Sequence, residues 1–326
     1  MRKPTVKTAL ILIAAAMILG AAGCRSRSTV YERKNPIHVE SPASGTNKPW
    51  ENGGPAEQTP EPTEEPPYMF TGYAFCVMNA ATGETVLAEN EDQRNYIASI
   101  TKILTVLTAL DYMSADENVT CESGWLDYFK KDGSIECYGI REGRSYNVGD
   151  VVDMALVRSF GDAAVLLGKS AERRSGRDFI ELMNEKAAAL GMLDSHFDNV
   201  IGLDIGNQFT ENYSTAADAA RLMSAALANE TIMRSCSGKE IKLTNGTVLT
   251  NTSPFLSKAE KSDFYTVIGC KTGSTKASGS NLAVAVIDNK TSDVYVAVYL
   301  HARGVTVLST ELDGILEYVC AECAAR

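Results

Sequence analysis

Eight of the ten prolines fall between Arg25 and Tyr68, interleaved with glutamate, threonine, serine and glycine. This clustering separates what can fold from what cannot. The stretch has no apolar periodicity, so it cannot bury enough surface to offset the entropy of ordering. As a flexible coil it would span about 35–40 Å, and further where proline stiffens it. Residues 25–68 therefore read as a linker, and residues 69–326, with no second proline-rich break and no repeat, as one folded domain.

Residues 1–24 read as a targeting signal. Arg2, Lys3 and Lys7 form a positive head, and Ala9 to Gly23 is an apolar run. The run falls short of the about 20 residues a spanning helix needs, but it suits a signal peptide. It ends in Leu19-Gly20-Ala21-Ala22-Gly23-Cys24, which resembles the lipobox of bacterial lipoproteins. There the cysteine is lipidated and becomes the new N-terminus. Ala21 departs from that pattern, in which leucine is commoner. Ordinary cleavage and an uncleaved anchor are the alternatives. All three place the folded part outside the cytoplasm, at the extracytoplasmic face of the membrane.

Composition narrows the chemistry. The net charge is -10 and no basic block follows the first few residues, which argues against nucleic acid as a partner. Three histidines leave little for a metal site or a histidine-based triad, and no metal or cofactor is expected. Eight cysteines in an exported chain raise the question of disulfides, with Cys121 and Cys137 able to bridge a loop. Cys320 and Cys323 form a CxxC at the end of a helix-like segment. A redox pair sits at a helix start, so these read as half-buried thiols.

The apolar patterns point to an α+β fold. Strand-like runs Tyr73–Met78 and Glu84–Ala88 flank the turn signal Asn79 to Gly83, which predicts a hairpin. From Ser99 to Met113, Ile100, Ile103, Leu104, Leu107 and Leu110 recur at helical spacing. Helical patterns continue through Val151–Ser170, Arg177–Leu190 and Thr215–Leu227. The chain then returns to strands at Leu282–Asp288 and Val294–Leu300, and to a helix at Thr310–Cys320. Strands at both ends with helices between them predict an antiparallel sheet flanked by helices, with a helical lobe.

Three short motifs carry chemistry. In Ser99-Ile100-Thr101-Lys102, residues three apart share a helix face, so the lysine amine can reach the serine hydroxyl. Serine needs a base beside it, and lysine serves only when held neutral by burial or by a second cation. Roughly one SxxK arises by chance in a chain of this size, so the motif is weak alone. A helix cap followed by a snorkelling lysine would look the same. The rarer Lys271-Thr272-Gly273 adds a positive charge, a hydroxyl able to bind a carboxylate, and a glycine that lets substrate approach the backbone. The Ser274 and Ser99 amides could together form an oxyanion hole. A serine in Ser159-Phe160-Gly161-Asp162-Ala163 completes the set.

SxxK, a serine-containing second motif and KTG together are the signature of penicillin-binding proteins and class A β-lactamases. From Tyr73 onward the chain resembles the D-alanyl-D-alanine carboxypeptidases of the low-molecular-mass penicillin-binding type. The resemblance extends to Ala81–Leu87, Phe179–Leu190, Phe197-Asp198-Asn199, Gly202-Leu203-Asp204 and Tyr213–Ala216 with Asp218. It implies the penicillin-binding protein and β-lactamase-like fold. It also implies an acyl-enzyme on Ser99, with Lys102 and Ser159 catalytic and with Lys271, Thr272, Gly273, Ser274 and Arg303 binding substrate. The implied partners are peptidoglycan stem peptides, with β-lactams as covalent inhibitors and the membrane reached through a lipid or signal anchor.

One position departs from the family. The second motif is usually Ser-x-Asn, and Gly161 stands at the asparagine, whose amide orients the first-motif lysine. Losing that hydrogen bond would cost about 1–3 kcal/mol, or roughly a 5- to 150-fold slower reaction. The alternative reading is thus a weakly active or inactive relative that binds wall peptide. A β-lactamase is disfavoured, because Glu181 to Asn184 has the wrong spacing for the ExxxN loop that carries its deacylating glutamate.

Overall fold

The computed structural model describes residues 67–127, 135–203, 212–258 and 262–323. The expected signal segment, Cys24 and the linker up to residue 66 lie outside the described residues. Five antiparallel strands form the central sheet: β1 (Ala74–Asn79), β2 (Thr85–Glu89), β3 (Tyr265–Thr275), β4 (Gly279–Asp288) and β5 (Val294–Ala302). Their spatial order is β2-β1-β5-β4-β3, so β3 is an edge strand. The two ends of the domain meet where β1 pairs with β5, Ala74 opposite Leu300.

Strand periodicity explains how both faces of this sheet are covered. Successive side chains point to opposite faces. From β1, Ala74, Cys76 and Met78 enter one core while Phe75 and Val77 enter another. The near-continuous apolar run of this strand follows from burial on both sides. The first core lies against a helical lobe made of α1 (Thr101–Ala109), α2 (Val148–Val157), α3 (Gly161–Ser175), α4 (Phe179–Ala189), α5 (Ala216–Ala226) and α6 (Glu230–Ser237). A single turn, α7 (Phe255–Lys258), precedes β3, and α8 (Val305–Cys323) ends the chain. The second core lies under α8 through Leu308, Leu312, Ile315, Leu316 and Val319, with Tyr68 and Phe70 packed edge-on to Phe75.

Helix starts follow the capping chemistry of the sequence. Asn147, Asp178, Thr215 and Asn229 each accept a backbone N–H from the first turn of α2, α4, α5 and α6. Gly176, in the left-handed conformation, closes α3.

The α+β architecture agrees with the sequence expectation, but several elements differ in detail. The single helical pattern over Val151–Ser170 is two helices, broken between Arg158 and Phe160, with Ser159 at φ 63°. The apolar period runs through the break, so the helical pattern does not show it, although Gly161 stands at the start of the second helix. The helix expected from Ser99 begins as a 3-10 turn, Ala98–Ile100, before α1. The last helix starts at Val305 rather than Thr310, its first turn being largely exposed and so lacking an apolar period. Cys121 and Cys137 are free thiols, one buried and one exposed. No helix among the described residues is long and apolar enough to cross a bilayer.

Candidate active site

Ser99 sits half-buried in the 3-10 turn, at the junction of α1 with the inner edge of the sheet. Two glycines let backbone close around it. A Cβ on Gly202, at φ +77°, would overlap the Ala98 carbonyl, and one on Gly273 would fall 2.6 Å from the Ile97 oxygen and 3.1 Å from the Ser99 nitrogen. Ala98 itself adopts φ 47°, and with Ser159 it is one of two non-glycine residues in the left-handed region here. Each such residue costs about 1–3 kcal/mol, which the surrounding packing must offset.

Lys102 lies one turn along from Ser99, fully buried, with Nζ 2.7 Å from Ser99 Oγ and donating to the Ile201 carbonyl at 2.8 Å. That carbonyl is aimed by a polar clamp. Asn199 Oδ1 accepts the N–H groups of Ile201, Gly202 and Leu203. Asn212 Oδ1 accepts those of Asp198 and Asn199, while its Nδ2 donates to the Asn199 carbonyl at 2.8 Å. Burial drives the Lys102 pKa well below its ordinary value, and the positive charge of Lys271 lowers it further. A neutral amine has two hydrogens and a lone pair. With one hydrogen on Ile201, the lone pair can face the serine hydroxyl.

Lys271, also buried, extends from β3 so that Nζ donates to Ser159 Oγ at 2.9 Å and to the Thr272 carbonyl at 2.7 Å. Burial lowers its pKa to about 8, partly opposed by the Cys236 and Cys270 thiols. All three KTG residues lie within β3. One side of this edge strand pairs with β4 and the other faces the cleft.

At the second motif, Gly161 is buried at the start of α3 and its N–H donates to the Glu136 carbonyl at 2.9 Å. The neighbouring Asp162 carboxylate accepts the N–H groups of Tyr138, Gly139 and Ile140. The segment around residues 136–140 is thereby pinned beside the missing asparagine, and Glu136 and Cys137 both act electrostatically on Lys102.

The remaining expected residues lie at the same end of the sheet. Ser274 pairs with Ser280, and Ser280 pairs with Ala302 across β4. Two strand spacings of about 4.8 Å thus separate Ser274 from the residue before Arg303. Arg303 is exposed in the turn that leads into α8. Thr272 Oγ1 lies 2.9 Å from Thr252 Oγ1. Ser99, Lys102, Ser159, Lys271 and Gly273 are therefore drawn together, with Thr272, Ser274 and Arg303 lining the edge beside them. Sequence reasoning missed the Ile201 carbonyl, a main-chain atom with no side-chain signature. It also missed Thr252, which lies in an ordinary turn-rich stretch.

The chain as a whole has known relatives. The D-alanyl-D-alanine carboxypeptidase family matches residues 61–303, and the chain belongs to that family. The D-alanyl-D-alanine carboxypeptidase DacD of Escherichia coli is 30% identical over 250 residues, covering 73% of this chain and 60% of the relative. A D-alanyl-D-alanine carboxypeptidase of Streptomyces sp. strain K15 is 30% identical over 216 residues, covering 62% of this chain and 71% of the relative. Among solved structures, the K15 DD-transpeptidase is similar with a TM-score of 0.66 at 25% identity, over 78% of this chain and 98% of that one. A Mycobacterium tuberculosis D-alanyl-D-alanine carboxypeptidase has the same fold, with a TM-score of 0.67 at 21% identity over 81% and 96%.

Proposed function

We propose that this chain is an exported serine D-alanyl-D-alanine carboxypeptidase that trims peptidoglycan stem peptides through an acyl-enzyme on Ser99. The observation that carries the reading is the Lys102 amine, 2.7 Å from Ser99 Oγ and driven toward its neutral form by burial and by Lys271. Lys102 takes the hydroxyl proton as Ser99 Oγ bonds to the carbonyl carbon between the two D-alanines. The Ser99 and Ser274 N–H groups face the oxyanion; the first amides of a helical turn have no partner within it. Ser159, whose oxygen accepts from Lys271, gives its hydrogen to the departing amine and takes one from the protonated Lys102, so the proton removed from Ser99 leaves with D-alanine and Lys102 returns to its neutral form. The C–N bond breaks, D-alanine leaves, and water adds to the acyl carbon while a proton returns to Ser99. Lys271, Thr272 and Arg303 hold the terminal carboxylate of the substrate. Gly273, with no side chain, lets the peptide lie along β3.

The missing asparagine is compensated in this reading. The amine it would orient has the Ile201 carbonyl instead. The family match and the carboxypeptidase relatives favour turnover over a binding-only role. The sequence upstream extends the proposal to a signal peptide over 1–24, lipid on Cys24 and a tether from residue 25 that stops short of the expected residue 68, because Tyr68 is already packed in the core; it would hold the domain at the outer face of the membrane.

The test pairs D-alanine release from a pentapeptide with intact-mass measurement after penicillin. One persistent adduct should form and be absent in Ser99→Ala, with release of D-alanine lost in the same variant. An adduct that survives Ser99→Ala would remove Ser99 from the role, and rapid loss of the adduct would indicate a β-lactamase.

A further inference from the structure

Thr252 stands outside every motif, yet its Oγ1 lies 2.9 Å from Thr272 Oγ1, and its side chain is exposed beside the cleft edge of β3. Its backbone is held from both sides. The Thr252 N–H donates to the Val157 carbonyl, at the end of α2 two residues before Ser159. Next to it, the Asn251 N–H donates to the Lys239 carbonyl, Asn251 Nδ2 donates to Gly238, and Asn251 Oδ1 accepts from Ser253. Four hydrogen bonds, two of them made by the Asn251 side chain, thus fix the backbone that carries the hydroxyl before any ligand arrives. A side chain held this way loses little freedom on binding.

We propose that Thr252 is a specificity-determining residue, the second hydroxyl of a two-hydroxyl site for the terminal carboxylate of the substrate. This rests on the proposed role of Thr272. A single hydroxyl has one hydrogen to give, and a carboxylate presents two oxygens. In the pair, Thr272 turns its hydrogen to the carboxylate. Thr252 gives its own either to the second carboxylate oxygen or to Thr272 Oγ1, which strengthens the Thr272 donor. Both arrangements satisfy every hydrogen and leave Lys271 Nζ on Ser159 and the Thr272 carbonyl. A neutral or amidated C-terminus, with no second anionic oxygen, gains nothing from Thr252.

The test is peptide binding in a Ser99→Ala background, which reads recognition without turnover. Two probes are titrated by NMR: a tripeptide ending in D-alanyl-D-alanine, and the same peptide with a C-terminal amide. Thr252→Val, which keeps the shape and removes the hydroxyl, should raise Kd for the acid about five- to twenty-fold and leave the amide unchanged. Thr252→Ser should keep most of the affinity for the acid. Equal Kd for the acid in the threonine and valine proteins would overturn the proposal. So would equal losses for acid and amide, or no binding of the acid at all. Failure of the acyl-enzyme reading would appear elsewhere, as absence of a penicillin adduct on the protein that retains Ser99.

Discussion

The pH dependence of the reaction follows from two buried amines with opposite requirements. In the proposed mechanism Lys102 must be neutral to take the Ser99 proton, and its pKa lies well below the ordinary lysine value. Lys271 must be charged to attract a carboxylate, and its pKa falls at about 8. Raising pH therefore helps the first and harms the second. From pH 7 to pH 9 the charged fraction of Lys271 drops from about 90% to about 10%. kcat/KM for a peptide with a free C-terminal carboxylate should fall about ten-fold over that interval, mainly through KM. The two groups interact, so the limb belongs to the pair rather than to Lys271 alone. The assay is D-alanine release across pH 5 to 10 in wild type and in Lys271→Arg. Guanidinium stays charged throughout, so the alkaline limb should vanish in the variant even where the absolute rate is lower. A flat wild-type profile above pH 7, or the same limb persisting in Lys271→Arg, would refute the reasoning.

Two further outcomes are expected. Gly161→Asn should change the rate of acylation by penicillin by less than about five-fold, since the Ile201 carbonyl already orients Lys102. A gain beyond ten-fold would show that the amine is under-held. Cys24→Ala should abolish labelling of the protein by radioactive fatty acid, whereas absence of that label from the wild-type protein would exclude a lipid anchor.

Much of the site was legible in sequence because its chemistry is local. Ser99 and Lys102 are one turn apart, so spacing alone put them on the same face, and Lys271, Thr272 and Gly273 are consecutive and so visible as one motif. The inner strands β4 and β5 were equally readable, since burial on both faces leaves a continuous apolar run in each. The break at Ser159 was not, because its left-handed backbone is imposed by packing against the neighbouring segment and carries no glycine to announce it. The edge position of KTG was hidden too, since strand order depends on pairings between distant parts of the chain.

By itself, then, the sequence determined the α+β class and supplied the motifs from which the nucleophile, the base and the cationic residue are proposed. These depend on residue type and on periods of two and about 3.6. Only the tertiary structure decided that burial and Lys271 depress the Lys102 pKa, that the Ile201 carbonyl holds the Lys102 amine, and that Thr252 meets Thr272. The physical reason is shared: desolvation, a main-chain dipole and a contact between remote hydroxyls arise only when the helical lobe closes onto the edge of the sheet.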